Sequence, residues 1–586
     1  MCGIISYIGE DASRLVLEGL KKLEYRGYDS AGIGAIVDGK IVIEKNVGKV
    51  EDVFSHFDLN KLSSQIAIGH TRWATHGKVT KENAHPHISN NSKIAAVHNG
   101  IIENYQNLRK FLSEKGFKFY GETDTEIIPN LVQYFMDKGE NFKQAVFKAI
   151  EKLRGSYAVV LIHADEKLLV AARKEAPLVI GVDEKGYFVA SDVPSFLDKT
   201  KKVIYLYDGD VVFLNKKIEM YNSGKKVKRN IDTIAWNAEQ AKKGEFKHFM
   251  LKEISEQAEV IERAVQQNKE VIEHIVNEIK SAKGIYFVGC GTAYYACLEG
   301  SYLFSKVAKV HVNVAFASEF PNYTHFLTPQ SLVIAISQSG ETADTLAAIR
   351  AAKSKGSKVI SIVNVMGSTI ARESHQALLQ QAGPEICVLS TKSYTSQLAI
   401  LTLLAYAFIG KLDEAKSELR ELIRYIYYLT AKNVQEHIKK IADKLKNVHD
   451  IYIIGRGIQY PTALEAALKI KEVSYIHAEA FAGGELKHGV IALIEKGTPC
   501  IVLTSKETEA EVISNAAELK ARGALIIGIG PNDNELFDFF IKVREAEEAN
   551  SIVQIIPIQI LAYQLALLRG LNPDQPRNLA KSVTVK

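Results

Sequence analysis

An internal repeat in the second half of the chain is the feature that most limits how it can fold. The segment GIYFVGCGTAYYACLEG at 284–300 matches DIYIIGRGIQYPTALEA at 450–466. Further on, VIAISQSGETADTLAAIRAAKSKGSKVISI at 333–362 matches IVLTSKETEAEVISNAAELKARGALIIGI at 501–529, with nearly the same offset. Two matches at one offset indicate two related lobes. Because strand, glycine turn and helix alternate in each, we expect a doubly wound lobe with a parallel sheet.

The first 235 residues or so follow a different pattern, in which short strands alternate with loops and a few helices. Helical periodicity predicts helices at Arg14–Leu23, Thr125–Lys138 and Phe142–Leu153. Runs rich in β-branched residues and bounded by Gly, Asp or Asn predict strands. These runs are Ile33–Val37, Lys40–Lys45, Ile66–Gly69, Ile94–His98, Ala158–Ile162, Leu168–Arg173, Tyr187–Ala190 and Asp210–Leu214.

Domain boundaries follow from these changes of pattern. A chain of 586 residues is too long for one ordinary domain. A charged helical segment separates the two halves and is interpreted as a connector. We expect a first domain, a linker, two lobes and a polar tail, at 1–238, 239–280, 281–420, 421–572 and 573–586.

Composition excludes several classes of protein. Lys plus Arg number 73 and Asp plus Glu 68, and a net charge of +5 gives no basis for nucleic acid or a membrane surface as the main partner. The apolar stretches Leu398–Gly410 and Ser551–Leu568 are interpreted as buried helices. The five cysteines are scattered, so neither a disulfide framework nor a metal site is expected. The start MCGIISYIGED lacks the features of a signal peptide, and a cytoplasmic location is predicted.

Cys2 is the first candidate nucleophile. Removal of Met1 would leave Cys2 with a free α-amine, whose reference pKa of about 7.7–8.0 makes it a base at neutral pH. A thiol and a base on one residue form a self-contained activated nucleophile. Considered alone, Cys2 is more simply a small residue near a chain end.

Four further segments favour a reactive site, because they are dense in side chains that a core excludes. They are HTRWATHG at 70–77, AHPH at 84–87, HNGIIENY at 98–105 and GETDTE at 121–126. Asn99 and Gly100 can offer a side-chain amide and an unobstructed N–H to a developing oxyanion. Arg72 suits the carboxylate of an amino acid and Asp124 its ammonium. A turn, a surface ion pair and a helix N-cap are the ordinary alternatives.

These motifs, with MCGIISYIG and RGYDSAG, resemble in content and order the glutaminase domain of the N-terminal-nucleophile (class II) amidotransferases. The resemblance covers about 235 residues and implies an αββα sandwich. It implies that Cys2 attacks the side-chain amide of glutamine, with Asn99 and Gly100 as the oxyanion hole. It implies that glutamine is held by Arg72, Thr75, His76 and Asp124. It also implies that Trp73 lies near the exit for ammonia.

The segment SQSGET at 337–342 is a candidate phosphate site. It lies between an apolar strand and a helix, where backbone N–H groups, hydroxyls and the helix dipole together bind an anion. A cap provided by Ser339 or Thr342 is the alternative, although two serines, a glutamine, a glycine and a threonine within six residues exceed what a cap needs. The second lobe has TSKETE at 504–509 instead, so we expect phosphate in the first lobe only. The nearby GCGTAYY is not a dinucleotide fingerprint.

The two lobes resemble sugar-isomerase (SIS) domains, and the whole chain resembles the glutamine–fructose-6-phosphate aminotransferase (isomerizing) family. The second half carries this resemblance in HFMLKEI, SQSGETADT, STKSYTSQ, ALKIKEVSYIHAEAFAGGELKHG and DQPRNLAKSVTV. The family implies that D-fructose 6-phosphate and L-glutamine give D-glucosamine 6-phosphate and L-glutamate, without metal or cofactor. Ala293 departs from it, since serine usually follows CGT. The implied sugar-phosphate contacts are Thr292, Ser337, Gln338, Ser339, Thr342, Val388 and Ser390.

Glu465, Lys469 and Glu472 fall on one face of a predicted helix. The spacing alone is typical of an ordinary solvated ion pair. The resemblance instead assigns Glu472 as the base that moves a proton between C1 and C2 of the sugar, with Glu465 and Lys469 in support.

The resemblance also gives roles to three residues near the end of the chain. It assigns ring opening to His488, which would reach the sugar site of a neighbouring subunit, so a homodimer is implied. It assigns the Schiff base with the sugar to Lys581. Arg577 is a candidate for coupling the two sites through Trp73.

Three alternative functions are weighed against this interpretation. Ala293 leaves open a different ketose phosphate, or deamination in place of synthesis. A non-catalytic sugar-phosphate sensor is a second alternative, and Cys2 and Lys581 argue against it. A phosphoribosyl amidotransferase or an asparagine synthetase would share the glutaminase motifs, but the doubled SIS half excludes both.

Overall fold

Two compact units make up the protein. The computed structural model describes residues 2–55, 59–74 and 77–584. The first unit runs to Lys242 and includes the final segment from Ala580, and the second unit is Lys243–Leu579.

Strands dominate the first unit. They are β1 (Gly3–Gly9), β2 (Ser30–Val37), β3 (Lys40–Val47), β4 (Ile66–Arg72), β5 (His87–Ile88), β6 (Ile94–Ile102), β7 (Gly155–His163), β8 (Leu168–Lys174), β9 (Val179–Val182), β10 (Gly186–Ala190), β11 (Lys202–Tyr205), β12 (Asp210–Leu214), β13 (Ile218–Asn222), β14 (Lys225–Val227) and β15 (Asp232–Thr233). Its helices are α1 (Ala12–Leu23), α2 (Val50–Phe54), α3 (Tyr105–Glu114), α4 (Ile127–Asp137) and α5 (Phe142–Lys152). All eight strands and three helices expected in this half are confirmed.

Two antiparallel sheets face each other in this unit. Within the described residues the larger sheet has the order β15-β11-β9-β10-β1-β4-β2-β3, and the other β14-β13-β12-β8-β7-β6-β5. Alternate residues of β7 separate two cores, because Ala158 and Val160 face the other sheet while Val159 and Leu161 face α4 and α5. Helix α1 covers the outer face of the larger sheet, where Gly69 of β4 meets Val16. The result is an αββα sandwich, which confirms the expected fold class.

Helices and parallel strands alternate in the second unit. Its helices are α6 (Phe249–Ser255), α7 (Gln257–Val265), α8 (Lys269–Ser281), α9 (Thr292–Leu303), α10 (Ala343–Ser354), α11 (Thr369–Glu373), α12 (Lys392–Phe408), α13 (Leu412–Leu429), α14 (Lys432–Leu445), α15 (Gln459–Ser474), α16 (Glu509–Lys520) and α17 (Asn550–Leu568). Its strands are β16 (Gly284–Gly289), β17 (Asn313–Phe316), β18 (Ser331–Ser337), β19 (Lys358–Val363), β20 (Gln376–Leu379), β21 (Asp450–Gly455), β22 (His477–Ala482), β23 (Pro499–Leu503), β24 (Leu525–Gly530) and β25 (Phe539–Lys542).

The repeat appears in the structure as two lobes of equal topology. In the described chain, one parallel sheet has the order β17-β16-β18-β19-β20 and the other β22-β21-β23-β24-β25. Helices α9 and α15 follow the matched strands β16 and β21 and pack against each other. The predicted pair of doubly wound lobes is therefore confirmed.

From Lys243 onward, the charged segment interpreted as a connector is part of the second unit. Helices α6 and α7 lie within it, and their apolar faces, including Met250, Ile254 and Ile261, are fully buried in the core shared by the two lobes. Charged residues of α7 such as Glu262 lie on its outer face, as in an amphipathic helix, whereas Lys252 and Glu253 of α6 are themselves buried.

Both long apolar stretches form buried helices, as predicted. Almost every residue of α12 and α17 is buried in the second unit. Among the described residues, Glu547–Leu568 is the one helical stretch long and apolar enough to cross a membrane, and 89% of its most apolar window is buried. It is therefore a core helix of this unit.

Candidate active sites in the two units

Cys2 lies at the start of the central strand β1, beside the end of β4. The backbone N–H of Trp73 donates to Cys2 Sγ at 3.2 Å, and Sγ lies 3.4 Å from the carbonyl oxygen of Trp73. Burial raises the pKa of the Cys2 thiol above its ordinary value. A thiol held in this way needs an adjacent base before it can attack.

Asn99 and Gly100 lie on β6, next to Cys2. Asn99 Nδ2 donates to the carbonyl oxygen of Cys2 at 2.9 Å. Gly100 has a φ of +116°, and a Cβ there would lie 2.1 Å from the carbonyl oxygen of Ser156. The position therefore requires glycine.

Arg72 and Asp124, the candidates for holding an amino acid, are both buried in the first unit. The Arg72 guanidinium donates to the carbonyl oxygens of Gly77 and Lys78, each at 3.2 Å. Asp124 Oδ2 accepts from the backbone N–H of Ile102 at 2.8 Å, so the carboxylate is fixed relative to β6.

Two other predicted residues of this site, Thr75 and His76, lie outside the described residues. Trp73 packs edge-on against Tyr28, with ring centroids 5.2 Å apart. Sequence reasoning missed Asp29, whose carboxylate accepts from the backbone N–H of Ala74 at 2.5 Å and anchors the segment after β4. Its signal was its place in RGYDSAG.

The segment at 337–342 forms a tight loop between β18 and α10. Ser337 Oγ lies 3.2 Å from Thr342 Oγ1 and accepts from the backbone N–H of Gly340 at 3.1 Å. Ser339 Oγ accepts from the N–H of Glu341 at 3.2 Å. Gly340 has a φ of +67°, and a Cβ there would lie 2.0 Å from Ser368 Oγ. The loop thus brings several hydroxyls to the carboxyl edge of a parallel sheet and to a helix N-terminus, where anions bind. Gln338, in the same loop, is half-buried.

In the equivalent loop of the second lobe, the hydroxyl of Ser505 already has a hydrogen-bond partner, and two glutamates are present. Ser505 Oγ donates to Gln459 Oε1 at 3.0 Å. Glu507 forms an ion pair with Lys306 at 2.5 Å, and Glu509 begins α16. Because Glu341 and Asp344 place carboxylates beside the helix N-terminus of the first lobe as well, the difference that favours phosphate binding there is the pair of serines around Gln338, which this loop lacks.

The glutamates and lysine of α15 form a buried charge cluster, not a solvated pair. The side chains of Glu465 and Lys469 are 0% exposed and that of Glu472 is 20% exposed. Lys469 Nζ lies 2.7 Å from Glu472 Oε2 and 3.4 Å from Glu465 Oε1. The ordinary alternative suggested by the spacing is therefore wrong.

This cluster connects the two lobes. Lys469 Nζ donates to Thr292 Oγ1 at 3.0 Å and to the carbonyl oxygen of Ser390 at 3.3 Å. Thr292 Oγ1 in turn donates to Glu465 Oε1 at 3.1 Å. Burial raises the pKa of Glu465 to about 8, against the opposing effect of Lys469. Ala293, the departure from the family pattern, follows Thr292 and is buried.

Two buried glutamates that sequence reasoning missed hold the segment around Val388 and Ser390. Glu253 Oε1 accepts from the backbone N–H groups of Ile386 and Cys387 at 2.6 and 3.1 Å. Glu385 Oε1 accepts from those of Thr391 and Ser393, each at 3.0 Å. The N–H of Val388 itself donates to the carbonyl oxygen of Asp574 at 3.2 Å. These bonds fix the backbone that presents Ser390 to Lys469.

The internal repeat also pairs Glu465 with a second buried glutamate, which sequence reasoning missed. Glu299 of α9 aligns with Glu465 of α15, and it too is buried. It accepts from Ser551 Oγ at 2.5 Å, and burial raises its pKa to about 8. A site residue of one lobe thus has a buried counterpart in the other.

The three residues assigned near the end of the chain lie in different places. His488 is exposed and ends the helical turn Gly483–His488. Arg577 lies over the ring of Tyr475, 4.3 Å from its centroid, and its backbone N–H donates to the Tyr475 hydroxyl. Lys581 is half-buried in the final segment, which groups with the first unit. Their assigned roles stay predictions.

Comparison with known proteins supports both halves of this description. A glutamine amidotransferase domain model matches residues 70–198, and a SIS domain model matches 278–407 and 444–569. Glutamine--fructose-6-phosphate aminotransferase [isomerizing] of Pyrococcus horikoshii is 46% identical over 604 residues, covering 100% of both chains. The chain belongs to the glutamine–fructose-6-phosphate aminotransferase (isomerizing) family.

Other relatives agree with membership of this aminotransferase family. The protein of the same name from Thermococcus kodakarensis is 44% identical, again over 100% of both chains. Among solved structures, the C-terminal domain of glucosamine-fructose-6-phosphate aminotransferase from Francisella tularensis is 34% identical, covers 57% of this chain and 100% of its own, and has a TM-score of 0.52. The two SIS lobes implied by the resemblance are therefore confirmed.

Proposed function

We propose that this chain converts L-glutamine and D-fructose 6-phosphate into L-glutamate and D-glucosamine 6-phosphate, the first step towards amino-sugar nucleotides. The observation that carries the proposal is the buried cluster in which Lys469 binds Glu465, Glu472 and Thr292. Two carboxylates and an ammonium are costly to bury, so a fold keeps them where proton transfer needs them.

In the first unit, the proposed chemistry is hydrolysis of the glutamine amide. After removal of Met1, the α-amine of Cys2 takes the thiol proton, and the thiolate attacks the amide carbon. Asn99 Nδ2 and the N–H of Gly100 stabilise the oxyanion. The intermediate collapses with protonation of the leaving nitrogen, which departs as ammonia. Water then hydrolyses the thioester and releases glutamate.

Binding of glutamine is assigned to groups of both charges. Arg72 would hold the substrate carboxylate and Asp124 its ammonium, and the family resemblance assigns Thr75 and His76 to the same substrate. The fixed bonds of Arg72 and Asp124 to the backbone support this assignment, because they preorganise both charges before substrate arrives.

In the second unit, the phosphate group is assigned to the loop Ser337–Thr342. His488 would open the ring, and Lys581 would condense with the C2 carbonyl of the open sugar, which forms a Schiff base and releases water. Ammonia adds at C2 and releases the lysine amine. Glu472 then takes a proton from C1 and returns one to C2, which gives the aldose amine.

The proposed role of Lys469 is to hold the side chain of Glu472 in place as the base while it also binds the buried Glu465. Its ammonium is 2.7 Å from the Glu472 carboxylate. Because Lys469 also binds the backbone of Ser390, it ties the acid–base group to the segment proposed to contact the sugar.

Assembly and location rest on the same proposal. A homodimer is expected, because the role given to His488 needs a neighbouring subunit. A cytoplasmic location is expected from the scattered cysteines. Ala293 keeps a second ketose phosphate as an alternative acceptor, since one hydroxyl of the family pattern is missing beside Thr292.

The anion site is tested by a matched pair of variants. Thr342→Val is expected to raise KM for fructose 6-phosphate about tenfold, because it removes one hydroxyl hydrogen bond to a charged group without changing shape. Glutamine hydrolysis should be unchanged. The control is Thr508→Val, in the corresponding loop of the second lobe, which should leave KM within about twofold.

The measurement is mass detection of the amino sugar and of glutamate across a range of sugar-phosphate concentrations. Equal effects of both variants, or an effect of Thr508→Val alone, would place the phosphate elsewhere. Turnover of another ketose phosphate in preference to fructose 6-phosphate would refute the acceptor assignment and leave the amidotransferase half in place.

A further inference from the structure

His70 is a buried residue of β4 to which no role has been assigned above. Its Nε2 lies 3.0 Å from Asn99 Oδ1 and 3.1 Å from the carbonyl oxygen of His98. Both of these atoms are acceptors, so a ring nitrogen between them must carry hydrogen. The geometry therefore fixes the tautomer of His70 with its proton on Nε2.

The surroundings of His70 favour the neutral ring with its proton on Nε2. Its other nitrogen, Nδ1, is buried and has no hydrogen-bond partner among the described residues. The ring stacks on His85, with centroids 4.0 Å apart and planes at 20°. Burial lowers the pKa of His70 to about 3, so the ring stays neutral at physiological pH.

The fixed proton of His70 decides which way the Asn99 amide points. With Oδ1 accepting from His70, Nδ2 faces Cys2 and donates to its carbonyl oxygen at 2.9 Å. A flipped amide would set its NH₂ group against the N–H of His70 and its oxygen against the Cys2 carbonyl. Both contacts would then be repulsive.

We propose that His70 is a positioning residue for glutamine hydrolysis, which holds the Asn99 amide with its N–H groups towards the reacting carbon. Nδ2 carries two hydrogens, and the bond to Cys2 uses one. The second is left for the oxyanion of the tetrahedral intermediate. The proposal rests on the proposed function, because it needs Asn99 to be an oxyanion donor.

The test compares two amide replacements with a ring replacement. In His70→Gln the amide N–H can occupy the place of Nε2, whereas the shorter side chain of His70→Asn cannot reach it. His70→Phe keeps the stacked ring and removes the donor. Loss of an oxyanion donor costs a factor of about 10²–10³ in kcat, and we expect a loss of about tenfold to a hundredfold for His70→Asn and His70→Phe. His70→Gln should stay within about threefold of the parent.

Two readouts separate positioning from a general structural effect. The KM for glutamine and the rate at which iodoacetamide alkylates Cys2 should be unchanged in all three variants, while kcat falls in two. The control is His87→Phe, a buried histidine of the same region that bonds Thr123 at 3.0 Å, and it should keep kcat. If His70→Phe does not fold, the Gln and Asn pair still decides, and equal activity of that pair would overturn the proposal.

A double-mutant cycle with Asn99→Ala distinguishes the positioning role of His70 from the oxyanion role of Asn99. If His70 acts through Asn99, His70→Asn should have almost no further effect in the Asn99→Ala background. Full additivity of the two losses would overturn the role of His70 alone. An Asn99→Ala variant with undiminished kcat would instead overturn the oxyanion assignment in the proposed function.

Discussion

Lys581→Ala is expected to abolish synthesis of the amino sugar while glutamine hydrolysis continues. The variant removes the only amine proposed to form the Schiff base at C2, and loss of a covalent catalytic group costs more than about a thousandfold. Glutaminase turnover should stay within about threefold, because the Cys2 chemistry does not use this lysine. The measurement is parallel detection of glutamate and of the amino sugar by mass spectrometry.

A second lysine in the same tail controls for charge. Lys586→Ala removes one positive charge five residues further on and should leave both products unchanged. Borohydride reduction in the presence of fructose 6-phosphate should add the mass of the sugar, less one water and plus two hydrogens, to the parent protein and not to Lys581→Ala. Amino-sugar synthesis by Lys581→Ala at the parent rate would refute the Schiff-base assignment.

Cys2→Ala is expected to lose glutamine hydrolysis by at least about ten-thousandfold, because it removes the thiol on which the thioester forms. Synthesis of the amino sugar from glutamine should fall with it. High concentrations of ammonium chloride should restore synthesis, since Cys2 is not among the residues assigned to the sugar. The assay follows amino-sugar formation with glutamine or with ammonium as the nitrogen source.

The measurement with ammonium separates loss of the nitrogen supply from misfolding of the variant. Rescue by ammonium shows that Cys2→Ala folds and that only the supply of nitrogen is lost. Undiminished synthesis from glutamine would contradict the role of Cys2. Failure of both nitrogen sources, with an unchanged thermal unfolding transition, would show that the sugar site also depends on Cys2.

Strong periodic patterns made much of the fold predictable. The repeat predicted two parallel-sheet lobes, because its strand–turn–helix units recur at one offset and each must bury two apolar faces. The αββα arrangement was available only from the glutaminase motifs, since β1 and α3 were not recognised as a strand and a helix. Strand β1 begins directly after Cys2 and its neighbours in the sheet are set by contacts distant in sequence.

Burial was the property that sequence alone described least well. The spacing of Glu465 and Lys469 is that of a common solvated pair, and the surrounding helices that exclude water from them come from distant parts of the chain. The same limit hid Glu253 and Glu299. The charges of 239–280 suggested a connector, although the opposite faces of α6 and α7 are core.

The candidate loops were easier to recognise, because their chemistry is local. Hydroxyls and glycine between an apolar strand and a helix already predict an anion site at Ser337–Thr342, and the structure describes the loop that this prediction needs. His70 differs, because its significance depends on the orientation of one amide on a neighbouring strand, which a sequence does not show.

The central claim is that nitrogen released from glutamine by the first unit is captured by the sugar in the second. The most direct test supplies glutamine labelled with ¹⁵N at the amide, together with fructose 6-phosphate and an excess of unlabelled ammonium. Internal transfer predicts an amino sugar whose nitrogen is mainly ¹⁵N from the first turnovers onward. An amino sugar carrying the isotope ratio of the free ammonium pool, or one without ¹⁵N, would contradict the claim.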